Sequence, residues 1–200
     1  MEELPNPSSV PNMLAHEQTE TVLLLIDVIN DLEFEDGELL LPHALAMAER
    51  IAALKARTQA ANMPSIYVND NFGQWRSDFG HLVDHCLKDN VRGEPIVQLL
   101  KPNKDDYFVL KPKHSGFYLT TLELLLEYLG AKTLILTGLA GDICVLFTAN
   151  DAYMRDYKLH IPADCVASNT EESNQRALQI MQRALKADTT LSTELDLNTL

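Results

Sequence analysis

Basic residues are scarce in this chain. Sixteen Lys and Arg stand against twenty-nine Asp and Glu, a formal net charge of -13. So acidic a surface repels phosphate backbones and anionic lipid heads, so neither nucleic acid nor a membrane surface is an expected partner. Cysteine is also scarce. Cys86, Cys144 and Cys165 are odd in number and irregularly spaced, which does not read as a disulfide framework. No apolar run approaches the ~18 residues of a membrane span. The opening stretch Met1 to Glu20 lacks the basic and apolar regions of a secretory signal. A reducing, cytoplasmic setting is therefore expected, one in which a free thiol survives. Internal repeats, low-complexity tracts and interdomain linkers are not evident.

Hydrophobic residues make up 46% of 200 residues, enough for one domain with a full core and too many for a disordered chain. Residues 1–18 are polar and dotted with proline, and are read as an N-terminal arm. Residues 19–200 are read as a single domain. Thr21 to Asp27 is a short apolar run ending in an acid, as in a strand buried on both faces. Further strands are expected at Pro64 to Val68, Tyr107 to Leu110, Thr133 to Thr137 and Lys158 to Ile161, with a short last one at Thr189 to Leu191. Helices are expected from Pro42 to Ala61, Ser77 to Leu87, Leu119 to Leu129, Asp142 to Asp156 and Glu171 to Lys186. Pro42 suits a first helical turn, Ser77 a cap, and Gly130 a helix stop. Alternating strands and helices of these lengths give an α/β fold with a mainly parallel sheet covered on both faces.

Ligands of such sheets sit off the carboxyl ends of the strands. Three reactive residues fall there. Asp27 ends the first strand, Lys111 follows the third, and the fourth leads through Gly138-Leu-Ala-Gly-Asp-Ile to Cys144 near a helix start. The set suits nucleophilic chemistry. A thiolate attacks, and a cation and a helix N-terminus lower a thiol's pKa. Lys111 supplies the cation. Asp27 takes the thiol proton and returns it to a leaving amine. The Gly138 to Gly141 loop turns N–H groups toward an oxyanion. Each residue also has a plain alternative: Asp27 as a turn residue, Lys111 as a surface lysine, Cys144 as an inert buried thiol. Cys86 and Cys165 lack such company and are read as structural.

Around these residues the chain resembles the isochorismatase-like cysteine hydrolases. Leu23 to Asp31 resembles their opening motif, and Val109 to Phe117 their lysine motif K-x-x-x-S-x-F. Thr137 to Val145 resembles their nucleophile loop, and Thr148 to Ala152 and Ile161 to Ser168 the stretches that follow. The resemblance covers about Thr21 to Leu191, in the family's order. It implies a three-layer α/β/α fold with six strands in the order 3-2-1-4-5-6, and a triad of Asp27, Lys111 and Cys144. It also implies a cis peptide between Leu139 and Ala140 that aims the N–H groups of Ala140 and Cys144 at the oxyanion, and assembly into a homo-oligomer. Isochorismatases proper cleave a vinyl ether without a thiol, so Cys144 favours hydrolysis of a small-molecule amide or carbamoyl C–N bond. Nicotinamidases of this family carry a D-x-H metal motif. Here Asp70 is present but Phe72 replaces the histidine, so no metal or other cofactor is expected; His81 and His85, spaced i, i+4, lack a third ligand. A substrate wall is expected from Asn69, Asp70, Phe72, Trp75, Arg76, His114 and Phe117, with Arg76 as a carboxylate fork. A vinyl-ether hydrolase, a redox-active thiol protein and a retired binding subunit remain the alternatives.

Overall fold

The computed structural model describes residues 20–71 and 78–200. The arm expected at residues 1–18 lies outside them. Five strands form one parallel sheet: β1 (Thr21–Ile26), β2 (Ser65–Asp70), β3 (Tyr107–Lys111), β4 (Thr133–Gly138) and β5 (Lys158–His160), in the order β3-β2-β1-β4-β5. β1 is central and wholly buried. Its residues divide by strand alternation. Val22, Leu24 and Ile26 join one core with Leu122, Leu126, Ala149, Leu178 and Met181. Leu23 and Leu25 join the other with Leu40, Ala44, Ile51, Ile96 and Val97. Helices α4 (Leu122–Leu129), α5 (Leu146–Tyr153) and α6 (Glu171–Ala184) therefore cover one face. Helices α1 (Gly37–Ala60), α2 (Phe79–Lys88) and α3 (Glu94–Leu99) cover the other, completing three layers.

The expected sixth strand shrinks to one parallel bridge, His160 to Asp188. Asp188 N donates to the Leu159 carbonyl and turns away after that, because its carboxylate is taken by Thr190. Other boundaries move for local reasons. α1 starts five residues before Pro42, at Gly37, where an added Cβ would lie 1.9 Å from the Leu32 carbonyl oxygen. Pro42 thus sits inside the helix, on its exposed side. The cap of α2 is Asp78, whose carboxylate accepts from His81 N at 2.8 Å; Ser77 lies outside the described residues. Leu119 has φ 53°, so α4 begins only at Leu122, and Gly130 at φ 74° ends it. α3 escaped the sequence reading: it is six residues long with Pro95 at its start.

The order reverses between β1 and β4. The carboxyl ends at that switch point are the usual place for a ligand in such sheets.

Candidate active site

At the end of β1 the backbone of Asp27 enters the left-handed region, with φ 51°. Aspartate tolerates this conformation better than most residues. The turn sends the carboxylate sideways across the strand ends. Asp27 Oδ1 accepts the Asp70 N–H at 2.7 Å from neighbouring β2. Lys111 closes β3 one strand further out, in register with Asp70. Its side chain is fully buried and reaches back over the end of β2. Lys111 Nζ lies 2.8 Å from Asp27 Oδ2, 3.4 Å from Asp70 Oδ2 and 3.4 Å from Cys144 Sγ.

Cys144 arrives from the other side. Gly138 ends β4 with φ 116°, and a Cβ there would meet the Ile26 carbonyl oxygen at 2.0 Å, so only glycine allows this approach. Leu139 N then donates to that same carbonyl at 2.9 Å. A π-helical turn, Gly141–Val145, follows and leads into α5. Such turns are rare and frequent at functional sites. Cys144 is its fourth residue and is partly exposed.

Among the described residues, one ammonium, two carboxylates and a thiol meet at this edge. Burial raises the Asp27 pKa above the ordinary carboxylate value; Lys111 opposes that rise without cancelling it. Burial lowers Lys111, but Asp27, Cys144 and Asp70 outweigh it, and the ammonium is held charged. The thiol behaves otherwise than the sequence reading expected. Burial first, and then the Asp27 carboxylate, push Cys144 up to about 12 despite Lys111. The ammonium's closest partner is Asp27, so it does not hold a resting thiolate. The site rests as thiol plus carboxylate, and the thiol needs a base.

The nucleophile turn is braced by residues the sequence reading did not single out. Thr148 Oγ1 donates to the Cys144 carbonyl at 2.7 Å and accepts from Gly116 N at 3.0 Å. That bond ties α5 to the loop after β3. Ser115 Oγ donates to the Asp151 carboxylate. On the far side, Gly141 N donates to Ala167 O at 2.8 Å and Asp142 N to Ser168 Oγ at 3.1 Å. Ser168 in turn meets buried Asn174, whose amide donates to Val166 O at 3.0 Å. Buried hydroxyls next to a reactive turn are the sequence signal for this scaffold, legible only once α5 and α6 are placed.

The isochorismatase domain model matches residues 21–194. The chain belongs to the isochorismatase family. It is an enzyme of that family, within which amide and other C–N hydrolases are common among its relatives. It is 43% identical over 173 residues to the uncharacterized isochorismatase family protein YaaI of Bacillus subtilis, covering 86% of this chain and 94% of that one. It is 29% identical to ureidoacrylate amidohydrolase RutB of Methylorubrum extorquens, over 84% of this chain and 77% of that one. Among solved structures it resembles N-carbamoylsarcosine amidase of Thermoplasma acidophilum, with TM-score 0.69 and 26% identity over 89% of this chain and 99% of that one.

Several expectations need correcting against this family member's own structure. The Leu139–Ala140 peptide is trans, as are all described peptide bonds. The reversal is made instead by Gly138 at positive φ, and Ala140 is extended (φ -80°, ψ 141°). Among the described residues the Ala140 N–H has no hydrogen-bond partner. Asn69 is fully buried and donates to Ile29 O at 2.7 Å, so it holds the loop after β1 and is no substrate wall. Phe117 is core, packed against Tyr157 with Arg155 over its ring. His114 is exposed, its ring 5.4 Å from Phe147. Phe72, Trp75 and Arg76 lie outside the described residues. Cys86 and Cys165 are buried in the core, where burial pushes both thiols up to about 12.

Beyond Asp70 opens a cleft of about 480 Å³, lined by Asp31, Phe34, Asp70, Asp78, His81 and His85 among others. His81 pairs with Asp78 at 3.3 Å, and His85 lies between Asp89 at 2.7 Å and Asp31 at 3.3 Å. Among the described residues no three His, Cys, Asp or Glu side chains converge as metal ligands. Asp70 is engaged with Lys111. As placed, the described residues of this cleft do not form a metal-ligand set.

Proposed function

We propose that the enzyme hydrolyses the C–N bond of a small amide, ureido or carbamoyl compound through an acyl-enzyme on Cys144. What supports this is one ammonium, Lys111 Nζ, in simultaneous reach of Asp27, Asp70 and the Cys144 sulfur. Asp27, raised by burial and directed at a raised thiol, is matched to accept the Sγ proton as sulfur attacks the carbonyl. The tetrahedral oxyanion is received by the Ala140 and Cys144 N–H groups. Collapse breaks the C–N bond, and the amine departs with the proton held on Asp27. Water then gives a proton to Asp27, attacks the thioester and releases the acid; Asp27 returns its proton to sulfur. Lys111 stays charged throughout and stabilises sulfur while it is anionic. The relatives named for ureidoacrylate and N-carbamoylsarcosine lend this substrate class its support.

The proposal includes a cytoplasmic location, a small-molecule partner and a homo-oligomeric state; a monomer by light scattering at micromolar concentration removes the last. No described helix is long and apolar enough to cross a membrane. The decisive test is a panel of amides, ureido acids and isochorismate offered to the wild type and to Cys144→Ala. The expected result is C–N hydrolysis by the wild type alone, with an acyl adduct on Cys144 by mass spectrometry. Cleavage of isochorismate by both proteins, with no C–N turnover, overturns the proposal.

A further inference from the structure

Helices α5 and α6 cover the same face of the sheet, yet their outward sides differ. α6 turns Glu172, Gln175, Arg176, Gln179 and Arg183 to solvent, as a surface helix does. α5 does not. Joined to the π-helical turn before it, it makes one continuous helix from Gly141 to Tyr153, closed by Met154. Its inner side is core, with Val145, Ala149 and Ala152 buried. Its outer side carries Ile143, Phe147, Asn150 and Met154, spaced i, i+4, i+7 and i+11, which forms one stripe opposite the core. Ile143 is 41% exposed, Phe147 51% and Met154 69%. A helix that is apolar on both sides is built to be buried on both sides.

The apolar surface continues beside α5. The His114 ring lies 5.4 Å from that of Phe147, and Ser115 Oγ bonds to Asp151, so the loop after β3 lies against the helix. That loop leaves Tyr118 52% and Leu119 80% exposed, and Leu124 on α4 is 68% exposed. Arg155 Nε on Glu123, at 3.0 Å, ties the first turn of α4 to the end of α5. At ~200 Å² for a large side chain, these six residues leave on the order of 700 Å² of apolar surface in water. The largest apolar patch of a typical monomer is ~300–600 Å². A stable dimer covers ~800 Å² on each partner. The area is that of half a dimer interface.

Charge and chemistry choose the occupant. Two copies of a chain with net charge -13 repel each other over most of their surface. The α5 stripe carries no charge, and the ions along its border, Glu123, Asp151 and Arg155, are paired with one another. Asn150 is the polar residue within the stripe. Its Nδ2 donates to Leu146 O at 2.7 Å, which leaves a second amide hydrogen and Oδ1 for a partner. An amide both donates and accepts, so two of them facing across a twofold axis satisfy each other. A lone asparagine in an apolar helical seam also fixes its register. Resting on the homo-oligomeric reading above, we propose that two copies of this chain meet on this face: α5 packs against α5 of a second copy about a twofold axis close to Asn150.

The test needs no substrate. Light scattering at micromolar concentration is run on the wild type, Phe147→Glu and Met154→Glu, with thermal melts alongside. Ile180→Glu, at an exposed apolar residue of α6, is the control for added charge. Ile143 is left alone because it adjoins the nucleophile. The wild type should be a dimer or a higher even-numbered assembly. Phe147→Glu and Met154→Glu should halve its mass, and Ile180→Glu should leave it unchanged. Met154 is the most exposed of the stripe's three apolar residues, so its variant decides the matter where Phe147→Glu fails to fold. A second measurement uses Asn150→Cys on a Cys144→Ala background, oxidised by air with copper phenanthroline. It should give a dimer linked by a disulfide through position 150, since Cys86 and Cys165 are buried. An oligomeric wild type whose mass survives both stripe variants, or one that forms no link at position 150, overturns this interface and leaves the homo-oligomeric reading standing. A monomeric wild type overturns both and leaves the acyl-enzyme reading untouched.

Discussion

Two lysines of this chain are buried, and they do opposite things. Lys55, on α1, meets one carboxylate, Asp106, at 2.5 Å and the Tyr67 hydroxyl at 2.9 Å. Tyr67 then donates to Leu100 O at 2.8 Å, so the chain of donors ends on a backbone carbonyl. The cation is matched one to one, with no thiol beside it. Lys111 meets two carboxylates and a thiol at the carboxyl edge of the sheet. A matched buried pair fixes the packing between α1 and the loop before β3. Lys111 instead holds a carboxylate that also faces a thiol, and that is what proton transfer needs. Burial alone separates these lysines from surface ones; the thiol beside Lys111 separates chemistry from structure.

The largest effect that would break this comparison concerns Asp27. Asp27→Asn keeps the shape and the Asp70 N–H contact but accepts no proton from sulfur. Turnover of the substrate found by the panel should fall by roughly 10²–10⁴-fold, with melting close to the wild type. Lys111→Ala should also slow acylation, by removing the charge next to sulfur. Lys111→Arg should restore only part, because a planar guanidinium does not replace a compact ammonium. Near wild-type turnover in Asp27→Asn shows that this carboxylate is structural and removes it as the base.

Lys55→Met gives the mirror image. It leaves Asp106 buried without its cation, a loss of roughly 3–5 kcal/mol in stability. Chemical denaturation should show that loss, while kcat of the folded fraction stays within about twofold, since Lys55 pairs with Asp106 just before β3, at the opposite end of that strand from Lys111. A kcat that falls in step with stability would falsify the division of labour.

The pH profile sharpens the contrast further. Asp27 works as a base only when ionised, and burial has raised its pKa above 3.8. Activity should therefore be lost as pH falls through that raised value, and regained as pH rises. Cys144, at about 12, adds no ionisation of its own near neutrality. The rate should rise along one limb and then hold level to pH 9. A second rising limb near pH 8 to 9 would mean that the free thiolate is the reactive form and that Asp27 is not its base.

Much of this was legible in the sequence, for physical reasons. Continuous apolar runs marked β1 and β4 because strands buried on both faces need them. Strand ends marked Asp27, Lys111 and Cys144 as neighbours because parallel sheets gather their carboxyl ends. What escaped depends on distance in the chain or on backbone detail. Lys55 finds Asp106 51 residues away, and no spacing announces it. The thiol's pKa is raised first by burial and then by the Asp27 carboxylate, and no spacing in the sequence announces either. Asn69 and Phe117 looked like pocket residues because they flank motif positions, yet strand alternation and core packing turn both inward. The trans Leu139–Ala140 bond illustrates the same limit: the resemblance implied cis, and the local geometry solved the turn at Gly138.

The smallest predicted effect tests whether the nucleophile's bracing belongs with the chemistry or with the packing. Thr148 Oγ1 bridges the Cys144 carbonyl and the buried Gly116 N–H. Thr148→Val keeps the shape but leaves that N–H and carbonyl without the bridge, a loss of about 1–3 kcal/mol. Thr148→Ser keeps the hydroxyl and removes one methyl, so it should cost about 1 kcal/mol and retain the bridge. If the bridge holds Cys144 in place, Thr148→Val should lower kcat by a few-fold beyond any unfolded fraction, and Thr148→Ser should not. The two variants share the core site and differ in the hydroxyl, so their ratio isolates it. Equal kcat in both, with only the melts differing, assigns Thr148 to packing alone, on the same side of the comparison as Lys55.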